Sequence, residues 1–265
     1  MTLPVKSYYV DEAHKALLSD MNNVKFILRD NKEGVKYLLC RLRVNNKHYP
    51  SELYIRNAEI MSIHNNDHAS TGCVNQVKIY LSGNNSGGYG QYIKDFQRIR
   101  DKKINDLIKN KEIDVMSTVL YNMYKFEYVD KESNEIKYYY DANGCPDFRV
   151  PIVLDFDKYP INNPRIPSYL RGKPRTIIKD YRTARLSKDG SRVEYDVATI
   201  NGEELNANNV YEFINSGSII VEGYISFIST CCSMYGISTR QVASELVIMP
   251  SELKCDRKPN LDLLE

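Results

Sequence analysis

The sequence predicts an α+β fold that is mainly β. Three runs within residues 34–81 alternate aliphatic residues with tyrosines and basic residues, which is the period-two pattern of strands with one buried face. Alternating apolar residues recur at 148–156 and 219–229, whereas the apolar spacing of a long amphipathic helix is found at 92–111. Strand runs, one long helix and further strands do not fit the strand–helix alternation of a doubly wound α/β sheet.

The predicted elements follow one another along the chain. The first half contains a short helix, four strands and the long helix, at 10–20, 24–29, 34–44, 52–56, 73–82 and 92–111. The second half begins with a short helix at 112–121, a hairpin at 123–129 and 136–140, and a strand at 148–156. A second hairpin at 176–186 and 192–199, a helix at 209–215 and two final strands at 219–229 and 242–249 follow. Asp189-Gly190 supplies the turn of the second hairpin, and Gly217 provides a stop for the helix before it.

The order of these elements favours a Greek-key barrel. Three or four strands, a long helix and then more strands suit a five-stranded barrel of the OB type, with a helix between its third and fourth strands. The additional hairpins and short helices enlarge this barrel at its periphery. We therefore expect one OB-centred domain over residues 1–254 and a frayed C-terminal tail over 255–265.

Composition limits the class of protein. The chain has 265 residues and a net charge of only +2, so nucleic-acid binding would depend on a local basic patch. It contains 21 tyrosines but 7 phenylalanines, and tyrosine suits surface contacts because it keeps a polar tip. The N-terminal residues lack the apolar segment of a signal peptide, and no apolar run approaches the length of a membrane span. We expect an intracellular protein with no membrane partner.

The three early strand runs supply the candidate binding face. If they are neighbours in one sheet, their solvent sides combine three tyrosines with four basic residues: Tyr37, Tyr54, Tyr80, Arg41, Arg43, Arg56 and Lys78. Rings that stack on bases, beside cations that neutralise phosphates, form the platforms of single-stranded nucleic-acid-binding proteins. The alternative is an ordinary sheet with a polar solvent side, because tyrosine is also a good strand former.

A proline-punctuated loop at 158–175 adds a second basic and aromatic segment. It contains no acidic residue, and it carries five basic residues and two tyrosines: Lys158, Arg165, Arg171, Lys173, Arg175, Tyr159 and Tyr169. We interpret the loop as a lid over a phosphate backbone. The alternative is a solvated linker that its prolines keep extended.

Signals for catalysis are weaker. Asp155 and Asp157 point the same way on a predicted strand, as a Mg²⁺ site in a nuclease or nucleotidyl transferase would require, but no third acidic partner is evident. A candidate set of metal ligands stands in a loop-like segment: His64, Asp67, His68 and Cys73. We predict a protein with no catalytic residues, no metal and no cofactor, and we keep the metal-dependent nuclease or nucleotidyl transferase as the alternative.

The later segments resemble a family of viral proteins. The residues that carry the likeness are FRVPIVLD at 148–155, LNANNVYEFINSGSIIVEGYISFIS at 205–229, SMYGIS at 233–238 and LVIMPSE at 246–252. Their order is similar to that in the single-stranded DNA-binding proteins of African swine fever virus and other large nucleocytoplasmic DNA viruses. The resemblance implies an OB-type core that coats single strands without sequence readout or catalysis. The basic loop at 158–175 departs from the family.

Together these features predict a sequence-independent single-stranded DNA-binding protein. The resemblance implies that it acts in viral DNA replication, recombination or repair, at a replication site in the host cytoplasm. The expected partners are single-stranded DNA, with RNA left open, further copies of the chain along the strand, and replication proteins.

Overall fold

A computed structural model describes residues 8–30, 36–44, 47–50, 52–65, 75–115, 117–141, 143–164, 166–233 and 235–251. Of the described residues, 45% lie in strands and 19% in helices, so the predicted mainly β class is confirmed. The strands are β1 Tyr8–Tyr9, β2 Val24–Asp30, β3 Lys36–Val44, β4 Lys47–Pro50, β5 Glu52–Asn65, β6 Gln76–Ser86, β7 Glu127–Val129, β8 Ile136–Tyr138, β9 Arg149–Asp155, β10 Ile177–Asp180, β11 Arg185–Leu186, β12 Val193–Glu194, β13 Thr199–Ile200, β14 Glu203–Glu204, β15 Ile219–Ser233 and β16 Gly236–Met249. The helices are α1 Val10–Ser19, α2 Tyr89–Lys109 and α3 Val210–Phe213, with 3₁₀ turns at Met21–Asn23 and Tyr181–Thr183.

Ten of these strands form one mixed sheet. Its path runs β1-β5-β6-β9-β16-β15-β3-β2, with β10 beside β16 and β4 beside β3. The sheet as a whole is not a closed barrel, because this path ends at β1 and at β2. Strand β5 also pairs with β15, so β5, β6, β9, β16 and β15 each pair with two others of this set. We call these strands the five-strand circuit; its pairs are antiparallel except β9 with β16.

The alternating pattern predicts the buried side of the early strands correctly. The aliphatic positions of β3, β5 and β6 lie in the core: Leu38, Cys40, Leu42, Leu53, Ile55, Val77, Ile79 and Leu81. Burial of each large aliphatic side chain stabilises the fold by roughly 1.5–3 kcal/mol. The tyrosines and basic residues between them lie on the opposite side of the sheet, as the period of a strand requires.

Helix α2 packs its apolar side on the circuit. Tyr89, Tyr92 and Phe96 are fully buried. The close approach of α2 to β6 depends on Gly90, because a Cβ at this residue would lie 2.0 Å from the carbonyl oxygen of Gly83. The helix lies between β6 and β9, the second and third strands of the circuit in chain order, and not between the third and fourth as predicted.

The helix predicted at 112–121 is absent from the described residues of this segment. Several of its residues are β-branched, which lowers helix propensity. The segment instead lies beside β16: the backbone N–H of Tyr121 donates to the carbonyl of Ile237, and the N–H of Ile237 donates to the carbonyl of Val119. The prediction missed this arrangement because hydrogen bonds to a distant strand leave no local pattern.

Other boundaries also differ from the prediction. The strand predicted at 52–56 continues to residue 65, the one at 219–229 continues to 233, and the last strand begins at 236 instead of 242. The hairpin strands predicted at 176–186 and 192–199 are broken into the short strands β10 to β13. The tail at 255–265 lies outside the described residues. None of the helices in the described part of the chain has the length and apolar character to cross a membrane.

Candidate nucleic-acid interface

The predicted binding face divides into three groups of residues. Strands β5 and β6 are neighbours, as predicted, but β3 pairs with neither. It pairs with β15 at residues 230–231, on the same edge of β15 that pairs with β5 at residues 219–226. The prediction of three adjacent early strands was therefore wrong. We call the groups the β3 patch (Tyr37, Arg41, Arg43), the β5 patch (Tyr54, Arg56) and the β6 patch (Lys78, Tyr80).

The β5 patch forms an internal network. The hydroxyl of Tyr54 donates a hydrogen bond to the carboxylate of Glu222, and burial together with this bond raises the pKa of Tyr54 well above its ordinary value. The Tyr54 ring lies 5.2 Å from the ring of Tyr9 and 5.0 Å from that of Tyr224. The guanidinium of Arg56 lies 5.0 Å from the centre of the Tyr54 ring. The ring already has aromatic neighbours, and Glu222 would repel a phosphate, so this patch is poorly suited to bind a strand.

The β6 patch has a different environment. Lys78 and Tyr80 are half-buried on the outer side of β6. The His64 ring meets the Tyr80 ring edge-on at 5.4 Å, and Nζ of Lys125 lies 5.8 Å from the centre of the Tyr80 ring. Lys125 was not among the binding residues predicted from the sequence. A backbone bridge between Lys125 and Arg149, the first residue of β9, holds it beside this patch.

Further rings lie next to the β6 patch. Tyr139 and Tyr128 stack with their ring centres 5.0 Å apart and their planes 30° apart. The guanidinium of Arg149 lies 4.9 Å from the centre of the Tyr139 ring. Burial is the main cause that raises the pKa of Tyr139, and nearby Tyr80 contributes to the rise. The hairpin of β7 and β8 thus brings tyrosines to the same region as Tyr80.

An ion-pair cluster lies at the other end of β9. The Asp155 side chain is 3% exposed, with Nη1 of Arg175 at 3.2 Å and Nη2 of Arg240 at 3.7 Å from its carboxylate. Nη2 of Arg240 is buried and makes no hydrogen bond with any described residue. The ring of Tyr159 lies 5.9 Å from the guanidinium of Arg175. Two cations therefore lie against one buried carboxylate, and a ring lies beside one of these cations.

The register of the sheet joins this cluster to the β6 patch. Val153 of β9 pairs with Lys78 of β6 on one side and with Val242 of β16 on the other. Arg240 precedes Val242 by two residues and so faces the same side of the sheet. We call this surface the central face: the outer side of β6, β9 and β16, with Lys78, Tyr80, Lys125, Arg175 and Arg240.

The loop at 158–175 is a folded ribbon and not an extended linker. The N–H of Tyr159 donates to the carbonyl of Lys173 at 2.9 Å, and the N–H of Gly172 donates to the carbonyl of Tyr159 at 2.9 Å. Of the predicted lid residues, Arg175 reaches the central face. The others are exposed or bonded within the loop: Lys158, Lys173 and Tyr169 are exposed, and Nε of Arg171 donates to the carbonyl of Ile166 at 2.9 Å. Arg165 lies outside the described residues.

The candidate metal ligands have other partners. Arg175 and Arg240 both lie beside Oδ2 of Asp155, so this carboxylate oxygen already has two cationic neighbours. The Asp157 carboxylate accepts a hydrogen bond from Nδ2 of Asn75 at 2.9 Å. Over the described ranges, no three His, Cys, Asp or Glu side chains are arranged to hold a metal. Asp67, His68 and Cys73 lie outside those ranges.

The β3 patch lies beside further basic residues. Strand β2 pairs with β3 so that Lys25 is opposite Arg41 and Arg29 is opposite Tyr37. Lys25, Arg29 and Arg41 are exposed, and Tyr37 is half-buried. Lys25 and Arg29 were not among the predicted binding residues, although both lie on the strand predicted at 24–29.

Comparison with models of known protein families finds no match to the chain, and no curated protein matches it.

Proposed function

We propose that the chain is a non-enzymatic, sequence-independent single-stranded DNA-binding protein, and that the strand lies across the central face. The observation that carries the proposal is the convergence of a ring and four cations on one side of the sheet. The ring and the cations belong to four separate segments of the chain: Lys78 and Tyr80 on β6, Lys125 before β7, Arg175 at the end of the basic loop, and Arg240 on β16.

The strand pairing supports an OB-type arrangement of the five-strand circuit. In chain order the first strand pairs with the second and fourth, the second with the third, and the fourth with the fifth, all antiparallel. The third pairs with the fifth in parallel. This is a Greek-key order, and the second and third strands of an OB fold form the surface that binds oligonucleotides. Here those strands are β6 and β9, which contribute to the central face.

The central face combines the two interactions that single strands require. A base stacked on Tyr80 contributes roughly 1–3 kcal/mol, and every base offers such a surface, so stacking needs no particular sequence. Each phosphate neutralised on a single strand changes the slope of log affinity against log salt by about −0.7. Four contacts, from Lys78, Lys125, Arg175 and Arg240, therefore correspond to a slope of about −2.8.

The environment of Asp155 favours binding over the nuclease alternative. A carboxylate that serves as a metal ligand needs a carboxylate oxygen that the metal ion can reach. Asp155 is instead buried against Arg175 and Arg240, and its other carboxylate oxygen accepts the N–H of Asp157 at 3.1 Å. We assign it the role of holding the two arginines in place for phosphate binding.

The likeness to viral single-stranded DNA-binding proteins supports a biological role. On this proposal the chain protects single strands during viral DNA replication, recombination or repair in the host cytoplasm. Further copies of the chain along the same strand and replication proteins are its proposed partners.

Titration of a fluorescent oligo-dT at two salt concentrations tests the proposal, with a duplex of the same length and oligo-U as competitors. We expect that the affinity for oligo-dT falls as the salt concentration rises, and that the duplex displaces the labelled strand less well than single-stranded DNA does. The competition by oligo-U shows whether the protein prefers DNA or RNA. Incubation of labelled strands with Mg²⁺ or Mn²⁺ tests the alternative. Cleavage that is lost in Asp155→Asn would establish a nuclease, and the absence of any binding at low salt would refute the proposed function.

A further inference from the structure

We infer that the basic surface of β2 and β3 is a second phosphate-binding subsite for the same strand. It consists of Lys25, Arg29, Arg41 and Arg43 around Tyr37, and we call it the outer subsite. This inference rests on the proposed function, since it extends the path of the strand beyond the central face.

The charges of the outer subsite favour an anionic ligand. Among the described side chains on the solvent side of β2 and β3, every charged residue is basic. Lys25 and Arg41 stand directly opposite each other on antiparallel strands. Like charges in this position destabilise a sheet. A phosphate between them would remove this repulsion, which explains why a pair of cations is placed where a neutral pair would be more stable.

The sheet register connects the outer subsite to the central face. Tyr37 pairs with Arg29 on β2 and with Cys231 on β15, and Cys231 pairs with Ser238 on β16. Because paired residues face the same side of a sheet, these four side chains form one row across four strands. Arg240 of the central face lies two residues from Ser238 on the same side.

The row is open to solvent between the two sites. Ser238 is exposed and Cys231 is half-buried, whereas the alternate residues Leu38, Thr230 and Ile237 are fully buried in the core beneath. Both connecting side chains are small, so a strand could lie close to the sheet at this point. From β3 to β6 the path crosses four strand spacings, or about 19 Å.

Two exposed tyrosines border this path at the turn between β15 and β16. Tyr121 is 47% exposed and Tyr235 is 74% exposed. The hydroxyl of Tyr121 donates to the carbonyl of Tyr235 at 3.0 Å, and the Tyr121 ring lies against Gly236, where a Cβ would come within 2.6 Å of it. Exposed rings between two cationic sites are suited to stack the intervening bases. They make a single strand a better fit than an isolated anion.

Salt-dependent titrations with oligo-dT of two lengths test the inference. The site sizes of OB folds are roughly 4–16 nucleotides, so a length of about 5 nucleotides lies near the lower end of this range and a length of about 20 lies above it. In the double variant Lys25→Gln, Arg41→Gln we expect the salt slope for the long oligonucleotide to become shallower by about 1.4, from two lost contacts. Binding of the short oligonucleotide should not change. The matched control is Lys188→Gln, Arg192→Gln, which removes two exposed charges near β11 and β12 and should leave both slopes as in the parent.

Equal slopes of parent and Lys25→Gln, Arg41→Gln for the long oligonucleotide would overturn the inference and leave the proposed function intact. Equal losses for both lengths would also overturn it, because the outer subsite would then not be a separate extension. Failure of the parent to bind either oligonucleotide would instead refute the proposed function. Photo-crosslinking of the parent to a long strand that carries 5-iodouracil gives a second measurement that needs no variant. Crosslinks to Tyr121, Tyr235 or Tyr37 are expected, and crosslinks confined to Tyr80 and its neighbours would contradict the path.

Discussion

Replacement of Tyr80 by alanine tests the central face most directly. A stacked base contributes roughly 1–3 kcal/mol. The ring is half-buried and already contacts His64 edge-on, so part of its surface is engaged in the free protein. We therefore expect a loss in the lower part of this range, about 1–2 kcal/mol, which corresponds to roughly 5- to 30-fold weaker binding of oligo-dT. Tyr80→Phe keeps the ring and should bind within about twofold of the parent.

Fluorescence anisotropy with labelled oligo-dT at two salt concentrations measures the effect. Tyr80→Ala removes no charge, so the salt slope should stay as in the parent while the affinity falls. Tyr9→Ala is the matched control. Like Tyr80, Tyr9 has an accessible ring beside a cation: it is 51% exposed, and the guanidinium of Arg56 lies 5.4 Å from its centre. Unlike Tyr80, it belongs to the network around Glu222 and lies outside the central face. Parental affinity in Tyr80→Ala, or an equal loss in Tyr9→Ala, would refute the assignment of the binding surface.

Three further predictions concern charge, pH and packing. Arg240→Gln should make the salt slope shallower by about 0.7. Arg185, which pairs with Asp196 away from the central face, provides the control, and Arg185→Gln should leave the slope unchanged in the same titration. Burial raises the pKa of Glu52 above its ordinary 4.5, so the folded protein favours the protonated carboxyl. The protein therefore loses stability as the pH rises through the pKa that Glu52 has in the folded state, because the buried carboxyl then ionises. Glu52→Gln should therefore raise the melting temperature at pH 7 and have little effect near pH 4; an equal increase at both pH values would contradict this. Gly90→Ala would place a Cβ 2.0 Å from a backbone oxygen of β6. We expect it to lower the free energy of unfolding by about 1–3 kcal/mol in denaturant titrations. A stability equal to that of the parent would show that α2 can shift to make room for the methyl group.

The residues of the central face were only partly predictable from the sequence. Lys78, Tyr80 and Arg175 were selected, because a basic or aromatic residue on the polar side of a strand or in a basic loop is visible locally. Arg240 and Lys125 were missed. Arg240 precedes the strand predicted at 242–249, and Lys125 lies in a hairpin whose position beside β6 depends on a bridge to Arg149.

Tyr54 and Arg56 were also selected, but they lie outside the central face. Their local pattern is the same as that of Lys78 and Tyr80, so sequence reasoning grouped the four residues together. The difference comes from Glu222, which is 168 residues away in the chain and accepts the hydroxyl of Tyr54. A carboxylate supplied by a distant strand changes the electrostatic character of a patch without leaving any sign near it.

The sequence by itself determined which side of β3, β5 and β6 is buried and, to within a few residues, where the long helix lies. These features follow from the period of side chains along a strand or a helix, which is a property of neighbouring residues. Only the tertiary structure decided that β3 and β5 pair with different parts of one edge of β15 and not with each other, and that β6, β9 and β16 share one outer face. Strand neighbours are chosen by hydrogen bonding and packing between segments far apart in the chain, and a period-two pattern is the same whichever strand lies beside it.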